Sequence, residues 1–405
     1  MPKNNLREVR VLHALNRMAC GGAEVRTVET IAHFNQDDIV THTLSASGKP
    51  GELDEDVVRH GGKAHLVKVG IMFPFQLLSI LRKEKINIVH SSLRAMAGPI
   101  MLISFLGGIK KRVVHYRSSD GGLNPTLTMT IFRRVSKLLV RLFATDIIAV
   151  SNHSMQFHMG KNATRDPRCR VVYNGIQTLQ RDRHKCKKGL HKEFDIPVES
   201  KVVIHVGNFR WQKNHGFIIK ILKSHDFAQC DLRLILAGRY DGTDEEIEIK
   251  SALDKIVREE GLSDKVIFAG LRDDIPNMLM GSDCLLFPSI SEGLPGAVLE
   301  SLSHGTPVLC SDSGPFKEIA ASTTGVTHHS LEAPYSTWAS ALSVILNGDL
   351  AKNNQSRTAT ADSFAVSPFT IARHCAALKE IYNYTEHESD GIHIPKDGGY
   401  QQHAA

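Results

Sequence analysis

Short runs of β-branched and other apolar residues alternate with amphipathic stretches through most of the chain, and they do so in two series. In the first, residues 9–15, 39–44, 64–67, 86–90, 112–115 and 146–150 read as strands, and segments after them, such as 23–34 and 74–84, read as helices. The pattern breaks near "RCRVVYNGIQTLQRDRHKCKKG", which is polar and basic and contains an Asn-Gly turn. It resumes with strand-like runs at 201–206, 232–237, 266–269, 284–288 and 307–310. Apolar strands that alternate with helices argue for parallel sheets covered on both faces. Two series argue for two domains, and 405 residues is too long for one ordinary domain. The expected class is α/β, with two doubly wound Rossmann-like domains facing a cleft. The expected divisions are a first domain at 1–170, a linker at 171–198 and a second domain at 199–365. A final amphipathic helix at 366–385 would pack back toward the first domain, and the Gly- and His-rich tail at 386–405 reads as disordered. Open parallel sheets bind ligands outside the carboxyl ends of their strands, so the cleft between the domains is the expected site.

Composition removes several classes. With 42% hydrophobic and 23% charged residues the chain reads as a soluble globular protein. Its longest apolar run, around residues 99–107, is half of what a membrane span needs. The opening "MPKNNLREVRVLHAL" has no long apolar core before a small-residue cleavage site, so no signal peptide is expected. The seven cysteines are scattered and never form C-x-x-C, which argues for reduced thiols in a cytosol rather than disulfides or zinc. A net charge of +6 is compatible with anionic substrates or a lipid surface. Nucleic-acid binding is not expected, because neither a helix-turn-helix signal nor an aromatic-rich basic strand pair is present.

The chemistry concentrates in "SISEGLPGAVLESLSHGTPV", residues 289 to 308. Glu292 sits in a loop after a strand, and Glu300 lies inside the helix that follows. Gly293 and Gly296 would let the backbone approach a ligand, and Pro295 suits a first helical position. The free N–H groups of such a helix start, with its dipole, form a phosphate site. From Pro295 to Glu300 the helix rises about 7–8 Å. Glu300 can therefore lie on one side of a bound diphosphate and Glu292 on the other, each accepting hydrogen bonds from vicinal hydroxyls. A nucleotide sugar has that layout.

This stretch resembles the retaining nucleotide-sugar glycosyltransferases of family 4, which have the GT-B fold. The resemblance rests on Pro288-Ser289, Glu292-Gly293-Leu294-Pro295, Glu300, Gly305-Thr306-Pro307-Val308, Ser311, Gly314 and Glu318-Ile319. It extends over about residues 9–385 through "GGAE" (21–24), "VSN" (150–152), "YNGI" (173–176), "VGNFRWQKNH" (206–215), "LILAG" (234–238) and "VIFAGLRDDIP" (266–276), in the family's order. It implies that the second domain holds the donor and the first the acceptor. It also implies retention of anomeric configuration, with the leaving phosphate taking the acceptor proton.

Several residues gain roles from the resemblance. Lys213, after Gly207 and beside the expected cap Asn214, would neutralise the leaving diphosphate. The family usually has arginine after the glycine; here that position is Asn208, and Arg210 is the candidate for the missing charge. Gly21 and Gly22 would bring the first domain's backbone close to the diphosphate. His115, expected at a strand end facing the cleft, would contact the donor sugar, with Arg117 as the alternative two positions on. The backbone of the loop at Leu271 and Arg272 would read the nucleotide base, while Asp273 and Asp274 read as helix caps. Leu294 and Pro295 complete the donor-side set. With lysine and helix dipoles available, no divalent ion and no other cofactor are expected.

One helix stands apart. "IFRRVSKLLVRLF", residues 131–143, has Ile131, Val135, Leu138, Leu139 and Leu142 on one stripe and Arg133, Arg134, Lys137 and Arg141 on another. It reads either as an ordinary surface helix or as a contact with anionic lipid headgroups. The expectation drawn is a glycosyltransferase that takes an NDP-sugar, UDP-linked by preference, and a glycan or lipid-linked hydroxyl acceptor. It would act in polysaccharide, lipopolysaccharide or glycolipid assembly, in the cytoplasm or at the inner face of the membrane. A UDP-sugar 2-epimerase and a non-catalytic nucleotide-binding partner are the alternatives of similar architecture.

Overall fold

In the computed structural model, residues 9–34, 39–119, 126–178, 181–223, 231–348 and 354–382 are described here. The disordered-tail expectation lies outside them. Two parallel sheets organise the chain. The first has seven strands: β1 (Val9–Leu15), β2 (Ile39–Ser45), β3 (Ala64–Leu66), β4 (Ile88–Ser91), β5 (Lys111–Tyr116), β6 (Asp146–Ala149) and β7 (Cys169–Val171). The second has six: β8 (Lys201–Val206), β9 (Leu232–Ala237), β10 (Val266–Gly270), β11 (Cys284–Phe287), β12 (Val308–Ser311) and β13 (Val326–His329).

Their spatial orders are β3-β2-β1-β4-β5-β6-β7 and β10-β9-β8-β11-β12-β13. In each sheet the order reverses direction at its centre, between β1 and β4 and between β8 and β11. A crevice forms at such a point because successive connections leave toward opposite faces.

The sequence dictates this layering. Strands such as "KVVIHV" and "LRLILA" are buried along nearly their whole length, as strands covered on both faces must be. One face of the first sheet carries Leu77 and Leu81 of the helix Phe73–Lys83 and Ile100 and Met101 of the helix Ala97–Leu106. On the other face, Phe34 and the final helix Ile371–Tyr382 pack Cys375, Leu378 and Ile381 against Val11, Ile88 and Val113. The chain end thus returns to the first sheet, and a bridge between Ile176 and Thr370 ties the outgoing and returning segments together.

Two strands are additions to the sequence reading. Both β7 and β13 are edge strands of three or four partly exposed residues. The segment read as linker also contains the helix Arg183–Glu193, capped by Asp182, whose carboxylate accepts from His184 N at 2.9 Å. It packs Leu190 against the second sheet's core, and its Arg183 and Lys187 pair with the buried Asp283.

Candidate active site

The loops after β1, β8 and β11 meet where the two halves face each other. Glu292, in the loop after β11, is held by its own half: Lys213 Nζ lies 2.6 Å from Glu292 Oε1. Ser289 Oγ donates to the same oxygen at 2.6 Å. Lys213 closes a single-turn helix, Trp211–Lys213, and its ammonium stands 4.8 Å from the centroid of the Phe287 ring. Gly207 leaves room for the lysine: a Cβ there would lie 3.0 Å from the Lys213 stem, closer than an ordinary contact. The lysine therefore passes directly over the strand end, and Gly207 serves the lysine as much as any ligand. Asn208 is occupied by its own fold, with Oδ1 accepting from Arg239 N at 3.1 Å.

The helix that carries Glu300 begins at Gly296, and Pro295 is its cap rather than its first residue. A Cβ on Gly296 would meet nothing within 4 Å, and the same holds for Gly22, where the helix Gly22–Phe34 begins. Two helix starts thus carry free space beside their first residues, the arrangement that admits an anion. Gly293 has a different role from the one expected. Its Cβ would sit 2.4 Å from the Arg117 carbonyl oxygen, so it is the point of backbone contact between the halves. Around it, Ser119 Oγ donates to the Glu292 carbonyl and Ser151 Oγ donates to the Gly293 carbonyl. Leu294 is buried beside them.

Glu300 is paired across the seam. Its Oε1 lies 2.9 Å from Arg26 Nη2, and Arg26 Nη1 lies 2.7 Å from Glu29 Oε2. Burial pushes the Glu300 carboxyl up, with Arg26 opposing. Burial pushes Glu29 up to about 7, with Arg26 opposing and Glu300 adding to the rise. A second cross-seam tie is Glu318, which accepts from the N–H groups of Asn152 and His153 at 2.9 and 3.0 Å and so caps the helix Asn152–Met159.

Arg117 also reaches this seam. It donates to Ala23 O at 2.6 Å and to Thr27 Oγ1 at 3.1 Å, both on the Gly22 helix, and burial lowers its guanidinium to about 10. The carboxyl of Glu24 is raised by burial, with Arg117 and Arg210 both opposing, so these two cations share one neighbourhood. Arg210 is more than half exposed and lies 3.8 Å from Glu246.

Three further expectations need correction. His115 does not face open space: it is 1% exposed, and its Nδ1 is 3.0 Å from His90 Nε2, which in turn belongs to a buried chain ending at Tyr382 OH. The strand bearing it continues to Tyr116, so position 115 is still inside the sheet and position 117 is the one that emerges. Asn214 does not cap through a helical start; it is left-handed at φ 56° and donates to Pro288 O. Asp274 precedes the helix Ile275–Gly281 without a side-chain cap, because Arg272 takes its carboxylate at 2.8 Å. Arg272 is bound on its other edge by Glu193 at 2.6 Å, so its guanidinium is engaged within the fold, and Leu271 beside it is half exposed.

Residues 20–179 match the family described as Glycosyltransferase Family 4, and residues 187–357 match Glycosyl transferases group 1. The chain is 30% identical to the capsular polysaccharide biosynthesis glycosyltransferase CapH of Staphylococcus aureus, over 75% of this chain and 81% of CapH. The chain belongs to the glycosyltransferases. The enzyme is also 26% identical to the glycosyltransferase EpsF of Bacillus subtilis, over 94% of this chain and 97% of EpsF. Its fold is GT-B. HepE of Anabaena, solved with UDP-glucose, superposes with a TM-score of 0.75 at 18% identity, covering 93% of this enzyme and all of HepE. A glycosyltransferase of Rickettsia africae superposes at 0.76, with 17% identity, over 93% of this enzyme and 98% of that one.

Arg26 and Ser119 are the glycosyltransferase's additions to the residues picked from sequence, and Ser289, named there only as part of the motif, gains a contact with Glu292. Ser289 was legible, since it stands three residues before Glu292 in the same loop. Arg26 was not: 274 residues separate it from Glu300, and only the facing of two sheets brings them together.

Proposed function

We propose that the enzyme transfers a sugar from a UDP-sugar, with retention of configuration, to a hydroxyl of a glycan or lipid-linked acceptor in polysaccharide, lipopolysaccharide or glycolipid assembly. The observation that carries this reading is the Lys213–Glu292 pair, at 2.6 Å, in the loop that leads to the open helix start at Gly296. That HepE was solved with UDP and with UDP-glucose supports the choice of donor. The name of CapH supports polysaccharide assembly.

In this reading the diphosphate lies against the Gly296 helix start, with the Gly22 start opposite. The sugar–oxygen bond breaks with oxocarbenium character, and negative charge grows on the departing phosphate. Lys213, Arg210 and the helix dipoles stabilise that charge more than they stabilise the bound donor, which is what lowers the barrier. Glu292 turns from Lys213 toward the sugar hydroxyls and Glu300 accepts from the ribose, so Arg26 must release it. The leaving phosphate takes the acceptor proton. These cations supply the charge that a divalent ion supplies elsewhere, so turnover should persist in EDTA. The free thiols, among them the buried Cys284 and Cys310, suit a reducing cytoplasm.

The test is NMR of purified enzyme with UDP-glucose and other UDP-sugars, with and without a membrane extract as acceptor. Acceptor-dependent release of UDP and an α-linked product from an α-linked donor are expected, and Glu292→Gln should lower the rate by about 10²-fold or more. A change of free donor at C2 without acceptor would identify an epimerase, and calorimetric binding without turnover would identify a binding partner. Either result overturns the proposal.

A further inference from the structure

The helix Leu127–Phe143 wears its packing residues on the outside. Leu127, Ile131, Val135, Leu138 and Leu142 are each at least half exposed, from 50% at Val135 to 76% at Leu127. Their spacing of four, four, three and four residues aligns them in one stripe. The inner face is made of smaller groups. Ser136 and Val140 are its buried residues, and Gly98 N donates to Ser136 Oγ at 3.0 Å. A Cβ at Gly98 would lie 2.3 Å from the Ser136 carbonyl oxygen, so the two helices meet backbone to backbone. That contact leaves no space for leucines between them. The apolar strip continues onto the neighbouring helix, where Phe105 and Leu106 are 50% and 68% exposed and Phe105 meets Phe143 at 5.2 Å between centroids.

The charge on this face has one sign. Arg133, Arg134, Lys137 and Arg141 lie on the helix, which has no acidic residue. At about 100° per residue, Arg134, Arg141 and Lys137 fall along one flank of the apolar stripe. Burial lowers the Lys137 ammonium pKa, and the nearby cation Arg141 adds to the lowering. Among the described residues no helix is long and apolar enough to cross a membrane. A half-exposed leucine ridge flanked by cations is instead the form of a helix that lies in a headgroup layer.

We propose that this face docks the enzyme on an anionic lipid surface, with the leucine ridge in the interfacial layer and Arg134, Lys137 and Arg141 on headgroup phosphates. A second copy of the chain fits less well, because pairing two such ridges brings two all-cationic flanks together. The strand before this helix ends at Tyr116 and the helix begins at Leu127, so its first turn stands on the side of the sheet where Ser119 meets Glu292. Docking therefore presents the seam to the membrane. This deepens the lipid-linked acceptor reading above, and its test is independent of turnover.

The test is co-sedimentation of the full chain with vesicles of phosphatidylcholine, or of an equal mixture of phosphatidylcholine and phosphatidylglycerol. Binding to the mixture at low salt is expected, weaker by about tenfold or more on phosphatidylcholine alone. The double variant Ile131→Asp, Leu138→Asp should lose binding by about tenfold or more, with unchanged circular dichroism and unchanged UDP affinity by calorimetry. Arg134→Glu with Arg141→Glu should abolish the preference for the anionic mixture. Equal vesicle binding by parent and double Asp variant overturns the proposal, as does no binding of the parent to the mixture. A dimer in sedimentation that the Asp variant dissociates would assign the face to a second copy and overturn it also. UDP affinity, read on the same proteins, reports separately on the donor site.

Discussion

Glu292 and Glu300 flank one helix start, and each is neutralised by a cation, yet the two pairs are built differently. Glu292 takes Lys213 from its own half, and Ser289 and the Phe287 ring hold the arrangement from two further sides. Glu300 takes Arg26 from the facing half, and Arg26 is shared with Glu29. The first pair survives any movement of one half against the other. The second exists only while the halves are together. A local pair of this kind is charge already in position for a transition state. A pair across the seam is a latch, and its carboxylate becomes available to a ligand only by exchange.

Breaking the local pair should cost the most. Lys213→Ala leaves the leaving phosphate with helix dipoles and the exposed Arg210, and kcat should fall by about 10²–10³-fold. The circular dichroism spectrum should be unchanged, since no helix or strand depends on the lysine's contacts, its stem over Gly207 and its ammonium over the Phe287 ring. Steady-state rates of UDP release would measure this. A loss below tenfold would mean that Lys213 serves only to hold Glu292.

Breaking the latch should act on binding instead. Arg26→Met frees Glu300, so the donor no longer competes with an arginine for it. UDP affinity by calorimetry should rise by roughly threefold to tenfold, a gain of about 1 kcal/mol, while kcat changes little. The melting temperature should drop by a few degrees, because two largely buried carboxylates lose their partner. Weaker UDP binding in this variant would make Arg26 a phosphate ligand and end the latch interpretation.

The difference between the pairs also marks what a sequence can convey. Lys213, Glu292 and Glu300 were legible because Lys213 and Glu292 stand in loops after strand ends and Glu300 in the helix that follows, each within a short motif. Strands such as Val9–Leu15 and Lys201–Val206 were legible because a strand buried on both faces is mostly apolar and β-branched. The edge strands Cys169–Val171 and Val326–His329 were not, being short, partly exposed and polar in composition. The periodicity of the Leu127 helix was plain, but its direction was set by one contact, Gly98 against Ser136, that no periodicity encodes. Gly293 read as room for a ligand because glycine reports only that something comes close. That the neighbour is the Arg117 carbonyl is a fact about two domains, not about a motif.

The smallest expected effect tests the latch through its third member. Glu29 is raised by burial to about 7, against an ordinary glutamate near 4.3. Above about pH 7 it is ionised and competes with Glu300 for Arg26. Below that it is neutral, Arg26 belongs to Glu300 alone, and the latch tightens. UDP-glucose, whose phosphates do not titrate in this range, should therefore bind about two- to threefold more weakly at pH 6 than at pH 8. Glu29→Gln should hold the pH 6 affinity throughout. Stability follows the same group with a definite sign. A carboxyl whose pKa is raised on folding contributes stability that is fully present below its unfolded pKa and is lost as pH rises through about 7. The buried His13, His90 and His115, all lowered by burial, contribute the opposite slope, with stability lost as pH falls through the ordinary histidine range. Glu29→Gln leaves those histidines in place, so the difference in melting temperature between variant and parent isolates Glu29. That difference should grow in the variant's favour by a few degrees from pH 5 to pH 8. A difference that stays constant across this range would show that Glu29 does not titrate there, and the pH dependence of donor binding would have to come from another group.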